Sequence, residues 1–385
     1  MKGHRPLLLL SMVVSSVLGS ALGGWLLGIF MGWAWPGDFG LILRAHGQLQ
    51  VYGFVAMFTM GVAVLMVCSP LRLNARPLWL AYICPLIMLA GSALDLLHSS
   101  RPSVLPNWAG PLLQMLSVLA FATVMVLTRR ASLAQPRHRE SFTGWQLVLL
   151  ACGTGWLFLS PLFALKDPTK ALETTLWGFT GLYIVAIGYR IHPAILGLRS
   201  GRASLLPVIA AVWNFALLLR WLRQDGVWSW VMACAVSLFM ASLQPFRRSL
   251  RPAAGGSWLR PFVRTSYIWL IVATVFTVFA EGSMPGLAGA ARHALGSGFV
   301  VTMIAGMALR MVAAYEVRRV IWSTGPWVLY FLLLLATLLR VLGQAVSIIP
   351  LMAFGGFLQV LAVWLFSALL TATCLWGKDL GYVKK

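Results

Sequence analysis

The stretch Arg44-Ala45-His46-Gly47-Gln48-Leu49-Gln50-Val51-Tyr52-Gly53-Phe54 opens an apolar run that continues to Cys68. At about 1.5 Å per residue, the run from 46 to 68 is long enough to cross a hydrocarbon core of about 30 Å. It therefore reads as a membrane helix with an imidazole at its mouth. An ionisable group in that position is costly to bury and is by default a functional-site candidate. The same pattern returns at Arg292-His293-Ala294-Leu295-Gly296-Ser297-Gly298-Phe299. Two such histidines point to a buried cofactor, haem before others, since neutral imidazole is a common axial ligand to its iron.

Working outward, the whole chain is of this kind. Of 385 residues, 60% are hydrophobic and 10% charged, whereas soluble domains carry about a quarter charged residues. Runs of about 20 apolar residues recur along its length. The expected spans are 7 to 33, 46 to 68, 77 to 97, 107 to 128, 144 to 165, 173 to 192, 204 to 222, 227 to 246, 265 to 281, 292 to 314, 325 to 346 and 349 to 376. The fold class is thus all-α, a polytopic membrane protein of about twelve helices, with residues 1–385 forming a single transmembrane domain. No segment reads as a soluble domain.

A net charge of +21 suggests nucleic acid until the cations are placed. With the N-terminus inside, alternate connections collect 22 of the 30 Lys and Arg, among them Arg72, Arg76, Arg129, Arg130, Arg247, Arg248 and Lys378. The other eight are Arg44, Arg101, Lys166, Lys170, Arg220, Arg223, Arg292 and Arg340. This is the bias of cytoplasmic loops, so the charge reports insertion into a bilayer and no nucleic-acid partner is expected. Both termini are expected in the cytoplasm, in a bacterial inner membrane. The opening Met1-Lys2-Gly3-His4-Arg5 imitates a signal peptide, with Ala21-Leu22-Gly23 as a cleavage site, but the apolar run continues to about Trp35 and favours an uncleaved first helix. Cys68, Cys84, Cys152, Cys234 and Cys374 lack paired spacing and read as apolar core residues.

A repeat is visible. Gly53-Phe54-Val55 with Gly61 and Ala63 matches Gly298-Phe299-Val300 with Gly306 and Ala308, in the second and tenth spans. Spans eight apart fit three repeats of four helices, and Gly178-Phe179 in the sixth span is the third copy. Glycine-rich faces also arise wherever membrane helices pack closely. The histidines fit the repeat imperfectly. His46 precedes Gly53 by seven residues and lies on its face, whereas His293 precedes Gly298 by five, about 140° round the helix at 100° per residue.

Among the other histidines, His4 and His138 fall in basic solvated segments. His98 follows Asp95 at the outer end of the third span and is the substitute ligand. His192, in Tyr189-Arg190-Ile191-His192-Pro193, sits where Pro193 is expected to end the sixth span, and offers a second, inner metal site. Arg44 and Arg292 flank the two principal histidines, and Arg340 lies near the outer end of the eleventh span. Such forks bind the propionates of a haem bidentately. For Arg220 the expected role is snorkelling to the headgroups.

These segments carry a resemblance. His46 to Phe54, Arg190-Ile191-His192-Pro193, and His293 to Phe299 continuing through Met303, Gly306, Met307 and Arg310 are similar to the characteristic regions of the NnrS family. Those are twelve-helix bacterial inner-membrane proteins containing haem and copper and linked to nitric oxide and nitrosative stress. The resemblance implies haem, of b type, with copper as a further cofactor, and nitric oxide or another small gas as the ligand. This chain departs from the pattern. The family has His-Ala-His-Glu in the second helix, whereas Gln48 stands here for the second His and Leu49 for the Glu. A Gly-His-Thr-Gly-Arg-like string after the tenth helix is absent, and Glu316 to Arg319 follows instead.

The pattern also resembles the catalytic subunit of haem-copper oxidases, with twelve helices in three arcs and a low-spin haem held by His in the second and tenth helices. Terminal-oxidase chemistry in that family needs further histidines on the sixth and seventh helices. None lies in the seventh, from Leu205 to Trp221. Two readings of other classes compete: a secondary transporter, for which twelve helices with internal repeats are a common plan, and an assembly protein without cofactor. Against the transporter, Asp95, Glu173, Glu281 and Glu316 all fall near helix ends.

Overall fold

The computed structural model describes residues 10–11, 14–33, 38–68, 78–133, 144–198, 201–223, 225–249, 257–315 and 319–377. His4, His138, Glu316 and both chain ends lie outside these, as does the expected continuation of the first helix to Trp35. All the regular elements among the described residues are helical, as a bilayer demands of a chain that must satisfy its backbone internally. Ten helices are long and apolar enough to cross a membrane, and two shorter apolar ones, Ser20–Phe30 and Val227–Leu243, occupy the places of the first and eighth spans. The chain is a multi-pass membrane protein.

Contacts divide it into two compact units. One comprises Met1–Arg190 with Ser204–Arg223, the first seven helices; the other comprises Ile191–Ala203 with Gln224–Lys385, which holds the eighth to twelfth. In each unit, large apolar side chains such as Phe215, Phe331 and Phe354 remain on the surface, where acyl chains are the solvent.

Three helices stand apart. The most apolar windows of the second, sixth and tenth are 78%, 72% and 78% buried, whereas those of the other long spans are 33–50% buried. They are the central helices of their units, and all three are built alike. Each begins in α form, widens into a π-form stretch (Leu49–Ala56, Thr175–Gly181, Ala294–Val301) and returns to α form at Met57, Leu182 and Thr302. Each π stretch contains the Gly-Phe pair of the repeat, and Phe54, Phe179 and Phe299 are fully buried or nearly so. The sixth helix is therefore the third copy, and the repeat reflects structure beyond a general abundance of glycine. Stretches of this form are rare and concentrate at functional sites.

The glycines have a common reason. A Cβ on Gly53 would lie 2.7 Å from Val14, on Gly178 2.8 Å from Trp156, and on Gly298 2.5 Å from the Trp269 ring. In each case the neighbour lies on the helix preceding the central one, so the glycine permits a close helix approach. Gly296, two residues before Gly298, faces open space. Gly298→Ala is accordingly expected to cost about 1–3 kcal/mol through overpacking, with Gly296→Ala within about 0.5 kcal/mol of the parent. Unfolding of the two variants in detergent measures the difference.

Several sequence boundaries need correcting. The second helix starts at Phe39, with Asp38 accepting from the Leu41 N–H at 3.0 Å, seven residues before the expected start. The sixth starts at Pro168, where Asp167 accepts from the Lys170 N–H at 3.0 Å. The tenth begins at Ala288 and the ninth at Leu259. Carboxylate caps and an N-terminal Pro set the first two starts; hydropathy alone does not register them. Pro193 does not end its helix, which runs Leu182–Leu196, because a membrane helix tolerates an internal proline when neighbours re-satisfy its backbone.

Candidate functional site

His46 lies two turns inside the second helix and turns toward the first. Its Nδ1–H donates to the Gly19 carbonyl at 2.8 Å. One turn along the first helix, a Cβ on Gly23 would come 2.7 Å from His46 Cε1, so the imidazole edge lies in space that only glycine leaves. Gly19 similarly accommodates the Gln50 amide, 2.8 Å from where its Cβ would be. Because a carbonyl can only accept, the proton is fixed on Nδ1 and the ring lone pair on Nε2. This backbone-anchored tautomer is one in which protein imidazoles bind metals. The ring is half-buried.

Arg44 and Gln48 flank His46 by two residues on either side and face the other way. Arg44 Nη1 donates to Ser99 Oγ at 2.6 Å, and Gln48 Nε2 donates to Asp95 Oδ2 at 3.1 Å, both on the third helix. Gln114 completes the cluster, donating to Gln48 Oε1 at 3.2 Å and Ser92 Oγ at 3.1 Å. His98 belongs to this side, its Nδ1–H donating to the Leu105 carbonyl at 2.7 Å. It anchors the loop after the third helix.

In the second unit, His293 faces the eleventh helix. Its Nε2 accepts from Arg340 Nη2 at 3.1 Å, so the lone pair a metal would use is engaged by a guanidinium. Arg292, next to it, is exposed. His192 is buried at the far end of the sixth helix, with Nδ1 2.5 Å from the Tyr267 hydroxyl. Among the described residues no three His, Cys, Asp or Glu side chains converge as a metal cluster needs. Met57, Met60, Met303 and Met307 are buried in helix packing.

The mismatch between His46 and His293 now has an explanation. Five residues before the repeat glycine stand Gln48, Glu173 and His293, and each meets the residue 47 positions later on the next helix: Gln48 with Asp95, Glu173 with Arg220, and His293 with Arg340. Thus His293 is the counterpart of Gln48, and the counterparts of His46 are Ala171 and Ala291. Arg220 does not snorkel. It forms an ion pair with Glu173 Oε2 at 2.8 Å, both side chains mostly buried. The signal missed in the sequence is Leu218-Leu219-Arg220-Trp221-Leu222-Arg223-Gln224, repeated as Leu338-Leu339-Arg340-Val341-Leu342-Gly343-Gln344.

Twelve helices in three copies of a four-helix plan, each with a buried, π-widened central helix, define an oxidase-like membrane fold. The chain is similar to a chain of a heme-copper terminal oxidase dimer solved by cryo-EM, with a TM-score of 0.62 and 14% identity over 98% of this chain and 85% of that one. At that identity the likeness concerns the fold. The chain belongs to the family described as Domain of unknown function (DUF8744), which matches residues 5–375. No curated protein matches it.

Proposed function

We propose that this chain is a haem-binding protein of the bacterial inner membrane, of the NnrS type, that takes nitric oxide or another small gas as its ligand. The observation that carries the reading is the His46 clamp, a half-buried imidazole held by the Gly19 carbonyl and the space at Gly23, with its lone pair on Nε2. The oxidase-like fold supports it as the kind of bundle in which such a histidine accompanies a haem. A haem bound there would supply a redox-active iron able to take a gas molecule. The residues' own part is to hold and orient: Gly19 fixes the ring's proton on Nδ1, and the space at Gly23 receives the ring edge, while Arg44 is turned to Ser99 on the third helix.

The second axial position is assigned to His293 on the sequence argument alone. Its Nε2 would have to exchange Arg340 for iron, so His46 carries the proposal. Haem alone is put forward as cofactor, since copper would depend on methionines that already serve as packing. The orientation, with both termini cytoplasmic, rests on the 22 to 8 partition of the cations. The test is the absorption spectrum of the full chain purified from haem-sufficient cells. A Soret band that shifts on reduction and on addition of nitric oxide is expected; a protein colourless after haem supplementation contradicts the reading and leaves the transporter or assembly alternatives.

A further inference from the structure

The three polar pairs between central helix and following helix share a position but not a chemistry. In the first repeat the amide of Gln48 meets the Asp95 carboxylate, with Arg44 bound to Ser99 one turn of each helix away. In the second, Arg220 meets Glu173, a complete ion pair. In the third, Arg340 meets His293, an imidazole that accepts through Nε2 and is therefore neutral. The Arg340 guanidinium, unlike that of its counterpart Arg220, has no opposing carboxylate among the described residues.

Its surroundings are also incomplete. Arg340 Nη2 is engaged with His293, and among the described residues its buried Nε has no hydrogen-bond partner. One turn along the eleventh helix, Gln344 packs where a Cβ on Gly289 would lie 3.2 Å from its amide nitrogen, and Gln344 Oε1 is likewise buried without a partner. The twelfth helix closes the other side, with Gly355 against the Arg340 backbone. Gln359 follows Gly355 by one turn, and its buried Nε2 also lacks a partner. Amide ends are interchangeable by rotation, so both glutamines can present a donor. Orphaned polar atoms of this kind are expensive where no water reaches them.

We propose that Arg340, with Gln344 beside it, forms an oxyanion-binding site in the third repeat, in which a phosphate group supplies the negative charge that the Glu173 carboxylate supplies in the second. A guanidinium fork and a neutral amide donor suit such a group. The phosphate is that of an acidic lipid headgroup or a free phosphate, arriving at the end of the bundle where the tenth helix begins. The assignment is independent of the His46 reading and holds where His293 Nε2 stays on Arg340 and does not pass to iron.

The experiment measures unfolding temperature on the full chain, purified without haem in zwitterionic detergent and phosphate-free, low-salt buffer. The probes are inorganic phosphate, short-chain phosphatidylglycerol and, as control, short-chain phosphatidylcholine. A ligand that binds only the native state raises that temperature, and about 3 °C or more is expected at saturation. A response to inorganic phosphate assigns a free anion; a response to phosphatidylglycerol alone assigns a lipid. Arg340→Gln should abolish the response. His293→Glu, which rebuilds the ion pair of the second repeat, should unfold at a higher temperature than the parent without ligand and no longer respond. Glu173→His, which copies the third repeat into the second, should gain a response. No response of the parent chain to either phosphate probe, or an undiminished response in His293→Glu, would overturn the proposal.

Discussion

His46→Ala is expected to remove the Soret band altogether while the protein still inserts and folds. The side chain packs against glycines and is half-buried, so its loss leaves a small gap and no stranded charge. Iron, by contrast, loses the imidazole that the Gly19 carbonyl holds in one orientation. Gly23→Leu should have the same spectral effect with His46 intact, because the added branch would take the space the ring edge occupies. His98→Ala should leave the band in place, since that ring is taken up in anchoring the Leu105 carbonyl. A band kept in His46→Ala and lost in His98→Ala would move the ligand to the third helix.

The second large effect concerns stability. Glu173→Ala leaves Arg220 mostly buried without its carboxylate, and breaking such a pair from one side costs about 3–5 kcal/mol. Removing both partners in Glu173→Ala with Arg220→Ala should recover most of that loss, because no unpaired charge remains. Unfolding of the three proteins in detergent checks the cycle. Equal losses in the single and double variants would mean that packing, and not charge, holds these helices together. The prediction bears on the repeat as well. The ion pair is the second repeat's version of a contact the first repeat makes between Gln48 and Asp95.

Much of the architecture was legible in the sequence because it depends on local composition. Hydropathy located the twelve helices, and the Gly-Phe pairs at 53, 178 and 298 located the central helices. Helix starts were less legible, because the caps Asp38 and Asp167 lie in polar stretches that a hydropathy window treats as loop, although both are recognisable N-cap residues. The phase of the histidines was informative: the difference of about 140° reflects two different repeat positions, with His46 turned to the first helix and His293 to the eleventh.

The facing of His46 could not be read from its own helix. It depends on Gly19 and Gly23, some 25 residues upstream, whose relevance appears only when the first helix packs on the second. The role of Arg220 and Arg340 was hidden differently. In isolation Arg220 reads as a snorkelling cation and Arg340 as a fork for a propionate. The shared Leu-Leu-Arg-x-Leu-x-Gln string at 218–224 and 338–344 would have tied them to one position of the repeat.

The central claim, that His46 holds a haem, is tested most directly by the haem-to-protein ratio of the purified full chain, from a pyridine haemochrome assay on the parent and on His46→Ala prepared in parallel. The account predicts about one haem per chain in the parent, with the absorbance of a b-type group, and a ratio near zero in the variant. Equal ratios in the two proteins, or none in either, would contradict it.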